Sequence, residues 1–430
     1  MDHAPTYYAA TAKNRVDYPS LETDIEADVV IIGGGFTGVA TAVELAERGL
    51  DVVLCEANKI GWGATGRNGG QITGSLSGEK AMAREFRRTI GDKAADYVWN
   101  IRWRGHDIIR ERVKKYNIDC DLVFGHLQTA LTQAQLAELN ATYAQGCTKG
   151  MADDLELVPK EKIGDYLETD IYQGGLLNRR NMHVHALDLC FGQAQVVRKL
   201  GGRIFENSEV THIEHGERPL VRTKTGSVRA QKILLAGNAY HLLERKKLNG
   251  KLFPASLANM ATEPLSQSDA DAINPHRLAV YDSRFVLDYY RLTADYRLMF
   301  GGGTNYSGVD TPDVARQLIP ALERTFPRLK GIKAEFCWSG LDGITLNRIP
   351  QVGRINDNVF YVQGYSGHGI ALSHILGEIT AQCMAGDGSE FEIFENVNHW
   401  HLPLNRKLGS LLIAIGMLYY KIKDKLEKYP

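Results

Sequence analysis

A strand, a glycine-rich turn and a helix follow one another near the start of the chain, and this order limits the folds available to it. The apolar run Asp28–Ile32 predicts a strand buried on both faces, and the apolar residues of Val39–Arg48 recur at helical spacing. The turn Gly33–Gly38 lies between them, and Asp51–Cys55 predicts a second strand. Together these segments form one βαβ unit of about thirty residues, which is typical of a dinucleotide-binding Rossmann domain.

The glycines of this turn stand where the pattern Gly-x-Gly-x-x-Gly requires them. Gly33 permits the tight turn, Gly35 lets a pyrophosphate approach the backbone, and Gly38 lets the helix pack closely on the strand. The helix N-terminus offers unpaired N–H groups to the phosphates. Glu56 follows the second strand, where an acid accepts hydrogen bonds from ribose hydroxyls and repels a 2′-phosphate. The sequence therefore predicts a dinucleotide site that disfavours NADP, with FAD and NAD both open.

A second glycine cluster, Gly61–Gly70, follows the acid where an NAD domain would continue with its next helix. Its Arg67 and Asn68 offer hydrogen-bond donors to a further part of a larger cofactor. Together with the first turn, this cluster resembles the D-amino-acid-oxidase-like superfamily of FAD-dependent amine oxidoreductases. The resemblance implies that the cofactor is FAD and that this loop wraps its pyrophosphate and flavin.

A third cluster, Gly364–Gly369, follows the apolar strand Asn358–Val362 and opens a helix. The resemblance implies that this helix N-terminus faces the flavin N1–C2=O edge, where it stabilises the negative charge of the reduced flavin. It also implies that the backbone of Val210 meets the adenine and that Leu235–Asn238 closes over the cofactor. The residues predicted to bind FAD are Gly33, Gly35, Phe36, Thr37, Gly38, Glu56, Ala57, Gly63, Ala64, Arg67, Asn68, Gly69, Gly70, Val210, Gly237, Gly364, Tyr365, Ser366, Gly367, His368 and Gly369.

The resemblance covers nearly the whole chain and implies an α/β fold with added antiparallel β-structure. In this fold a Rossmann-like FAD-binding domain is interleaved with a mixed-sheet substrate domain. The alternation of apolar and polar residues between Gly250 and Trp338 agrees with an antiparallel sheet. We expect the FAD-binding domain to comprise residues 21–80, 165–240 and 340–395, the substrate domain residues 81–164 and 241–339, and a C-terminal helical tail residues 396–430.

Local similarity narrows the superfamily further. The segments Tyr7–Ala10, Asp288–Asp295, Trp338–Gly340 and Arg348–Gly353 resemble the gamma-glutamylputrescine oxidase branch, and an L-pipecolate oxidase-like group shares much of the scaffold. The first resemblance implies that the enzyme catalyses a step of putrescine catabolism. In this step a hydride is transferred to flavin N5 from the carbon atom that is bonded to the substrate nitrogen. Hydrolysis of the imine then gives an aldehyde and ammonia. Oxygen is the expected acceptor of electrons from the reduced flavin and is thereby converted to hydrogen peroxide. A dehydrogenase that uses another electron acceptor is the alternative.

One residue distinguishes amine substrates from amino-acid substrates. Amino-acid oxidases of the superfamily often carry an arginine, in a Gly-x-Arg-Pro segment, that pairs with the substrate α-carboxylate. This chain has Asp342 near that place, and an acid suits an ammonium better. We therefore expect an amine whose carboxylate is distant, with Arg291 and Arg348 as the candidates for a bidentate contact to it.

The remaining catalytic candidates surround the expected flavin. Because side chains alternate along a strand, only one of Tyr289 and Tyr290 can face the pocket, and we assign Tyr290 to it. His368 is a candidate for contact with flavin or substrate, and a buried structural histidine is the alternative. Cys337 lies near the place where some sarcosine-oxidase relatives attach flavin covalently, although we expect an inert buried thiol. The residues predicted to serve catalysis are His368, Tyr290, Trp338, Arg291 and Asp342.

Composition argues against several other functions. The 50 Lys+Arg and 51 Asp+Glu residues nearly cancel, so the chain lacks the basic field of a nucleic-acid-binding protein, and a flavin-dependent tRNA-modifying enzyme is the less favoured alternative. No CxxC pair or other metal site is predicted. Met1–Pro5 lacks signal-peptide character, so we expect a cytoplasmic protein. The apolar run Leu408–Tyr420 is too short to span a bilayer and predicts either a docked helix or a peripheral membrane contact. The oligomeric state stays open.

Overall fold

The computed structural model describes residues 1–284 and 286–401. Its helices are α1 (Tyr7–Thr11), α2 (Phe36–Glu47), α3 (Glu79–Ile90), α4 (Ala94–Tyr116), α5 (Gln133–Thr148), α6 (Ala186–Lys199), α7 (Arg245–Leu248), α8 (Gln267–Ile273), α9 (Val314–Thr325), α10 (Gly369–Met384) and α11 (Ser389–Glu395). Its strands are β1 (Asp24–Ile32), β2 (Val52–Cys55), β3 (Gln71–Ile72), β4 (Val123–Ala130), β5 (Leu155–Pro159), β6 (Gly174–His183), β7 (Arg203–Phe205), β8 (His212–Glu214), β9 (Leu220–Arg222), β10 (Ser227–Leu235), β11 (Phe253–Thr262), β12 (Ala279–Asp282), β13 (Tyr289–Leu292), β14 (Leu298–Asn305), β15 (Ala334–Ile344), β16 (Gln351–Asn356) and β17 (Val359–Gln363).

The first sheet has a parallel centre that grows out of the predicted βαβ unit. Strand β1 lies between β10 and β2, with Ile32 opposite both Leu235 and Cys55. The order of the sheet is β16-β17-β10-β1-β2-β7, and β8 and β9 continue it from β10. Because the carboxyl ends of parallel strands meet at one edge, the turns that follow β1, β10 and β17 converge there.

The second sheet is mostly antiparallel, which confirms the prediction for residues 250–338. Its order is β15-β11-β14-β13-β12-β4-β6-β3, with β5 paired to β6. Strands β11, β13, β14 and β15 pair antiparallel, whereas β12 and β4 run parallel. This sheet carries the residues that follow the glycine loop as well as the strand that contains Trp338 and Asp342.

Two helices cross closely on one face of the first sheet. A Cβ on Gly377 of α10 would lie 3.2 Å from the Cβ of Ala40 in α2, so the missing side chain sets the helix separation. A Cβ on Gly105 of α4 would lie 2.6 Å from the carbonyl oxygen of Ala371, which brings α4 equally close to α10. Close packing of this kind holds the N-termini of α2 and α10 at the same edge of the molecule.

Helix α9 covers the face of the second sheet that is turned away from the glycine clusters. Its Leu318 and Leu322 lie in one apolar cluster with Tyr290, Phe300 and Phe326. This side of the sheet is therefore a hydrophobic core, and the opposite side is the one that meets the glycine clusters.

The predicted elements match the structure except at their ends. The helix predicted within Val39–Arg48 is α2, which begins three residues earlier at Phe36 and ends at Glu47, and the strand predicted at Asn358–Val362 is β17, Val359–Gln363. The division into domains stays a prediction, and β3 and β6, inside the ranges predicted for the FAD-binding domain, belong to the second sheet.

The C-terminal tail lies mainly outside the described residues, including the apolar run 408–420. Within residues 1–284 and 286–401, none of the helices combines the length and apolar character that crossing a bilayer requires.

Candidate functional site

The first glycine turn is shaped by backbone that leaves no room for side chains. Gly33 has a φ of +115°, and a Cβ there would lie 2.9 Å from the carbonyl carbon of Ala236. A Cβ on Gly38 would lie only 1.9 Å from the Gly33 carbonyl oxygen. The predicted roles of these two glycines, a tight turn and close helix–strand packing, follow directly from these distances.

The second glycine loop closes against the first through a residue that the sequence did not single out. Gly35 is the N-cap of α2 and provides no side-chain cap, and the Thr65 hydroxyl accepts a hydrogen bond from the Phe36 amide at 3.0 Å. A Cβ on Gly35 would approach that hydroxyl to 3.1 Å. Thr65 lies inside the predicted loop Gly61–Gly70. Its position in that loop was the one signal in the sequence that it belongs to the site.

The third cluster reaches the same turn from the far end of the chain. The Tyr365 hydroxyl hydrogen-bonds the Thr37 hydroxyl in the first turn of α2. The Gly364 amide donates to the Asn238 side-chain oxygen at 2.9 Å, which links the third cluster to the segment after β10. All three predicted clusters, together with Gly237, therefore meet at the carboxyl edge of the first sheet.

This edge fits a dinucleotide cofactor. Gly33, Gly35 and Gly38 form a cradle that side chains would fill, and the first turn of α2 presents a positive dipole end to it. Gly367, with a φ of +99°, has open space where its Cβ would lie. The cradle therefore has the shape and the dipole end that suit a phosphate group, and the third cluster leaves open space beside Gly367.

Glu56 holds the turn as well as facing the cradle. Its two carboxylate oxygens accept hydrogen bonds from the Gly34 amide at 2.7 Å and the Asn58 amide at 2.8 Å. Burial raises the pKa of this carboxyl, and the two N–H groups oppose that shift. Each oxygen keeps a second lone pair for a ribose hydroxyl. Ala57 beside it is exposed, and Val210 lies in the apolar cluster beneath the sheet.

Arg67 and Asn68 shape their own loop. The Asn68 amide donates to the carbonyl of Thr65 at 2.8 Å and accepts from the Gly70 amide at 2.8 Å. Arg67 donates from Nε to the Trp62 carbonyl at 3.2 Å, and its guanidinium lies over the Trp62 ring. Within the described residues these side chains therefore order the loop whose backbone would contact the cofactor.

Tyr289, and not Tyr290, lies on the side of the second sheet that faces this loop. A Cβ on Gly69 would lie 2.5 Å from the Tyr289 ring, and the Tyr289 hydroxyl donates to Asn259 at 2.9 Å. Tyr290 points to the opposite side, where its hydroxyl lies 3.1 Å from that of Tyr172 in the hydrophobic core. The alternation argument was right, but the assignment of Tyr290 to the pocket was wrong.

Trp338 and Asn259 support the loop from the same side. The Trp338 indole N–H donates to the Arg67 carbonyl at 2.9 Å, and the Asn259 amide donates to the same carbonyl at 3.2 Å. Asn259 sits in the middle of strand β11 and carries no sequence signal. Trp338 thus fixes the glycine loop, and its catalytic role stays a prediction.

Arg291 is committed to backbone carbonyls. Its Nε donates to Gly69 at 2.9 Å and its Nη2 to Val184 at 3.0 Å, while Nη2 also contacts the Tyr8 hydroxyl at 3.1 Å. The side chain is buried. Its donors are directed at the glycine loop and its neighbours, which corrects the prediction that it binds a substrate carboxylate.

Asp342 presents an unsatisfied oxygen on the face of β15 that also carries Trp338. Residues two apart on a strand share a face, and a Cβ on the intervening Gly340 would lie 2.7 Å from the Cβ of Arg67. Asp342 Oδ2 is buried and has no hydrogen-bond partner among residues 1–284 and 286–401. Burial raises the pKa of Asp342 to about 6, although the amides of Gly367 and Gly343 and the charge of Arg348 oppose the shift.

His368 lies at the same corner as a neutral imidazole. Burial, together with the charge of Arg348, lowers its pKa to about 4, and the backbone of Ser366 opposes this shift. Its Nε2 lies 3.4 Å from the Ser75 hydroxyl, and its buried Nδ1 has no partner within the described part of the chain. His368 is the N-cap residue of α10, so the third cluster brings both an imidazole and a helix N-terminus to the site.

Cys337 faces away from these groups. It is exposed, which corrects the expectation of a buried thiol. It alternates with Trp338 along β15, and its pKa is raised by partial burial and by Asp313 at the start of α9. The thiol therefore belongs to the side of the sheet that α9 covers.

Comparison with known proteins agrees with this geometry. The family model described as DAO, FAD dependent oxidoreductase, matches residues 28–383. The chain is 40% identical over 428 residues to the gamma-glutamylputrescine oxidoreductase of Escherichia coli K12, covering 99% of each chain. Its fold is similar to that of the L-proline dehydrogenase from P. horikoshii, with a TM-score of 0.72, 20% identity, and 87% and 97% of the two chains covered. Glycine oxidase from Geobacillus kaustophilus gives a TM-score of 0.69 at 19% identity, over 84% and 95%. The chain therefore belongs to the DAO family of FAD-dependent oxidoreductases.

Proposed function

We propose that this enzyme oxidises the terminal primary amine of gamma-glutamylputrescine, giving an aldehyde and ammonia. The relative from Escherichia coli that is named for this compound supports the choice, because the similarity extends over 99% of both chains. The observation that carries the proposal is the free Oδ2 of Asp342 on the face that Trp338 shares. An acid at this place attracts an ammonium group and repels the α-carboxylate of a simple amino acid.

The residues that would hold FAD divide along the carboxyl edge of the first sheet. The cradle of Gly33 and Gly35 suits the pyrophosphate, Glu56 the ribose, and the loop Gly61–Gly70 the middle of the cofactor. The cluster Gly364–Gly369 and the N-terminus of α10 suit the flavin, because a positive dipole end stabilises negative charge there. Bound FAD supplies the hydride acceptor that amine oxidation requires.

The side chains of the protein contribute to the reaction by removing one proton from the substrate ammonium. An alkylammonium has a pKa of roughly 10.4, so the substrate arrives protonated near neutral pH and must lose a proton before it can be oxidised. Asp342 Oδ2 accepts that proton, and its raised pKa makes the transfer easier than to an ordinary aspartate. His368, neutral at the same pH, adds no positive charge that would repel the ammonium.

Anaerobic reduction of the flavin tests the proposal. The purified holoenzyme is mixed with gamma-glutamylputrescine without oxygen, and loss of the visible flavin absorbance is followed. L-Pipecolate and sarcosine serve as matched secondary-amine compounds. We expect rapid bleaching by gamma-glutamylputrescine only, and bleaching by L-pipecolate in its place would contradict the proposal.

Oxygen is part of the same proposal as the electron acceptor. Air is admitted to the reduced enzyme. The amounts of hydrogen peroxide, ammonia and aldehyde are then compared with the amount of flavin that is reoxidised. Equal amounts of peroxide and aldehyde support an oxidase, whereas a reduced flavin that persists in air identifies a dehydrogenase. The cytoplasmic location stays a prediction, which cell fractionation with this activity as the readout checks.

A further inference from the structure

Arg348 carries a guanidinium whose hydrogen-bond donors are free in the described part of the chain. Within residues 1–284 and 286–401 its side chain forms neither a hydrogen bond nor an ion pair. The guanidinium lies over the Tyr306 ring, with 5.7 Å between the guanidinium carbon and the ring centroid. The residue is partly buried. A partly buried arginine without a carboxylate gives up hydration and receives no ion pair in return.

The backbone holds this residue in an uncommon conformation. Arg348 has a φ of +62°, in the left-handed region that residues with side chains seldom adopt. Its amide donates to the Thr345 carbonyl at 3.1 Å, and a Cβ on Gly78 would lie 3.0 Å from the Arg348 carbonyl carbon. The turn after β15 is thus fixed from two sides, which sets the direction in which the arginine leaves it.

This turn adjoins the proposed site for the amine, because the Thr345 amide donates to the hydroxyl oxygen of Ser366 in the third cluster at 3.2 Å. The Arg348 charge lowers the pKa of both Asp342 and His368, so its guanidinium acts on the two groups that face the flavin end of the site. It does not hydrogen-bond Asp342 Oδ2, which has no partner among the described residues. The Asp342 carboxylate and the Arg348 guanidinium are therefore not paired with each other. This arrangement suits a substrate that carries an amine at one end and a carboxylate at the other.

The other two arginines near the site are already used. Arg291 is bound by three backbone carbonyls, and Arg67 is held by the Trp62 carbonyl and ring. Arg348 alone of the three has its donors free among the described residues. We propose that Arg348 determines specificity by binding a distal carboxylate of the amine substrate, in a bidentate contact beside the Tyr306 ring. This inference rests on the proposed amine oxidation. It adds a second recognition element of the substrate, a carboxylate distant from the amine that reacts.

Two synthetic amines that differ in one group test the inference. N-glutarylputrescine carries a terminal carboxylate where N-pentanoylputrescine carries a methyl group. For the wild-type holoenzyme we expect kcat/KM to be roughly 10- to 100-fold higher for the glutaryl compound, as a charge-assisted bidentate contact provides. In Arg348→Met the ratio falls to about one, and Arg348→Lys keeps part of it because the charge remains without the fork.

Arg84→Met is the matched control, because Arg84 is an exposed arginine of α3 with a side chain 71% accessible. We expect this variant to keep the wild-type ratio. Discrimination that persists in Arg348→Met, or a loss of activity that is equal for both amines, would overturn the inference and leave amine oxidation intact.

A binding measurement separates this inference from the proposed function. N-butylglutaramate has the carboxylate and the chain but no amine to oxidise, and its binding is followed through the change in flavin absorbance. We expect the Kd in Arg348→Met to rise at least tenfold over wild type and over Arg84→Met. If no amine reduces the flavin while this difference persists, the proposed function fails and the Arg348 site stands. An unchanged Kd overturns the Arg348 site.

Discussion

At the scale of single residues, the site is organised by hydrogen bonds to backbone carbonyls more than by charge pairs. Trp338 and Asn259 both donate to the carbonyl of Arg67, and Tyr289 orients Asn259 in turn. These contacts fix the loop whose backbone lines the cofactor edge. Among the described residues at the corner of Trp338 and the third cluster, Asp342 Oδ2 and His368 Nδ1 are buried without a hydrogen-bond partner and are available to a ligand.

Adjacent tyrosines provide a matched test of this organisation. Tyr290→Phe removes a hydroxyl contact in the core, so we expect the free energy of unfolding to fall by about 1 kcal/mol with kcat/KM unchanged. Tyr289→Phe removes the bond that orients Asn259, so kcat/KM should fall about fivefold and the flavin spectrum should shift. Denaturant unfolding and steady-state kinetics measure both. The reverse pattern would show that Tyr290 faces the site.

The pH dependence of kcat/KM reports on Asp342. Because burial raises its pKa to about 6, the carboxyl is protonated below that pH and charged above it. We expect kcat/KM for the amine to be level above pH of about 6 and to fall tenfold per pH unit below it, since a protonated Asp342 neither attracts the ammonium nor accepts its proton.

Asp342→Asn provides the comparison. This variant depends on the free amine, so its kcat/KM should rise with pH toward roughly 10.4 and be lower than wild type by roughly 100- to 1,000-fold near neutral pH. An Asp342→Asn profile that keeps the limb near pH 6 would assign that limb to another group.

Sequence reasoning at this scale succeeded where a residue's role depends on its immediate neighbours in the chain. Gly33 and Gly38 could be assigned because turn and helix are local. Tyr290, Arg291 and Asn259 could not, since their surroundings come from strands more than a hundred residues from the glycine loop. Leu292 shares the Tyr290 face of β13 and lies with Leu318 of α9 in one apolar cluster, whereas Arg291 shares the face of Tyr289. The leucine was therefore the available signal for the core face.

At the scale of elements, the turn between β1 and α2 is the part that local sequence determines most tightly. Helix α2 starts at Phe36 after the N-cap Gly35, which provides no side-chain cap, and the Thr65 hydroxyl caps the Phe36 amide from another loop. The start of α10 is also glycine-rich, but its neighbour is α2, far away in sequence. Element types were predictable for both helices, whereas their crossing at Gly377 depends on packing that periodicity does not encode.

Gly38→Ala tests how closely α2 and β1 pack. Alanine ordinarily stabilises a helix interior relative to glycine by about 1 kcal/mol. Here the added Cβ would meet the Gly33 carbonyl oxygen at 1.9 Å, so we expect a loss of about 1–3 kcal/mol in the free energy of unfolding and release of FAD. Thermal unfolding and the absorbance ratio of flavin to protein measure the two effects.

Gly216→Ala is the control for that substitution, because a Cβ there has nothing within 4 Å. It should change neither the unfolding transition nor the flavin content. A stable, fully loaded Gly38→Ala protein would mean that the turn relaxes without effect on the cradle.

At the scale of the whole molecule, the cofactor edge is where the two sheets meet and where the first glycine turn meets the cluster Gly364–Gly369. The turns after β1, β10 and β17 come from the first sheet, and Trp338 and Asp342 come from the second. The family relationship makes FAD the ligand that joins them. Their stability should therefore depend on the cofactor.

Removal of FAD tests this dependence. The apoprotein is prepared and its unfolding temperature is recorded as FAD is added. We expect an increase that grows with the logarithm of FAD concentration, equivalent to about 2.7 kcal/mol at one hundred times the Kd. FMN, which lacks the adenosine half that Glu56 would contact, should give a smaller increase. An unfolding temperature that does not respond to FAD would contradict a cofactor held between the sheets.

The contact between Thr37 and Tyr365 also sets an order of events during synthesis of the chain. The two residues are separated by 328 positions. At about 5–20 residues per second, the ribosome needs roughly 16–66 s to add the second after the first. Strand β1 and its turn leave the ribosome early, yet the flavin end of the site does not exist until the last quarter of the protein follows. Assembly of the whole site is consequently a late event in synthesis, and we expect a nascent chain stalled before residue 364 to bind FAD less tightly than the full chain.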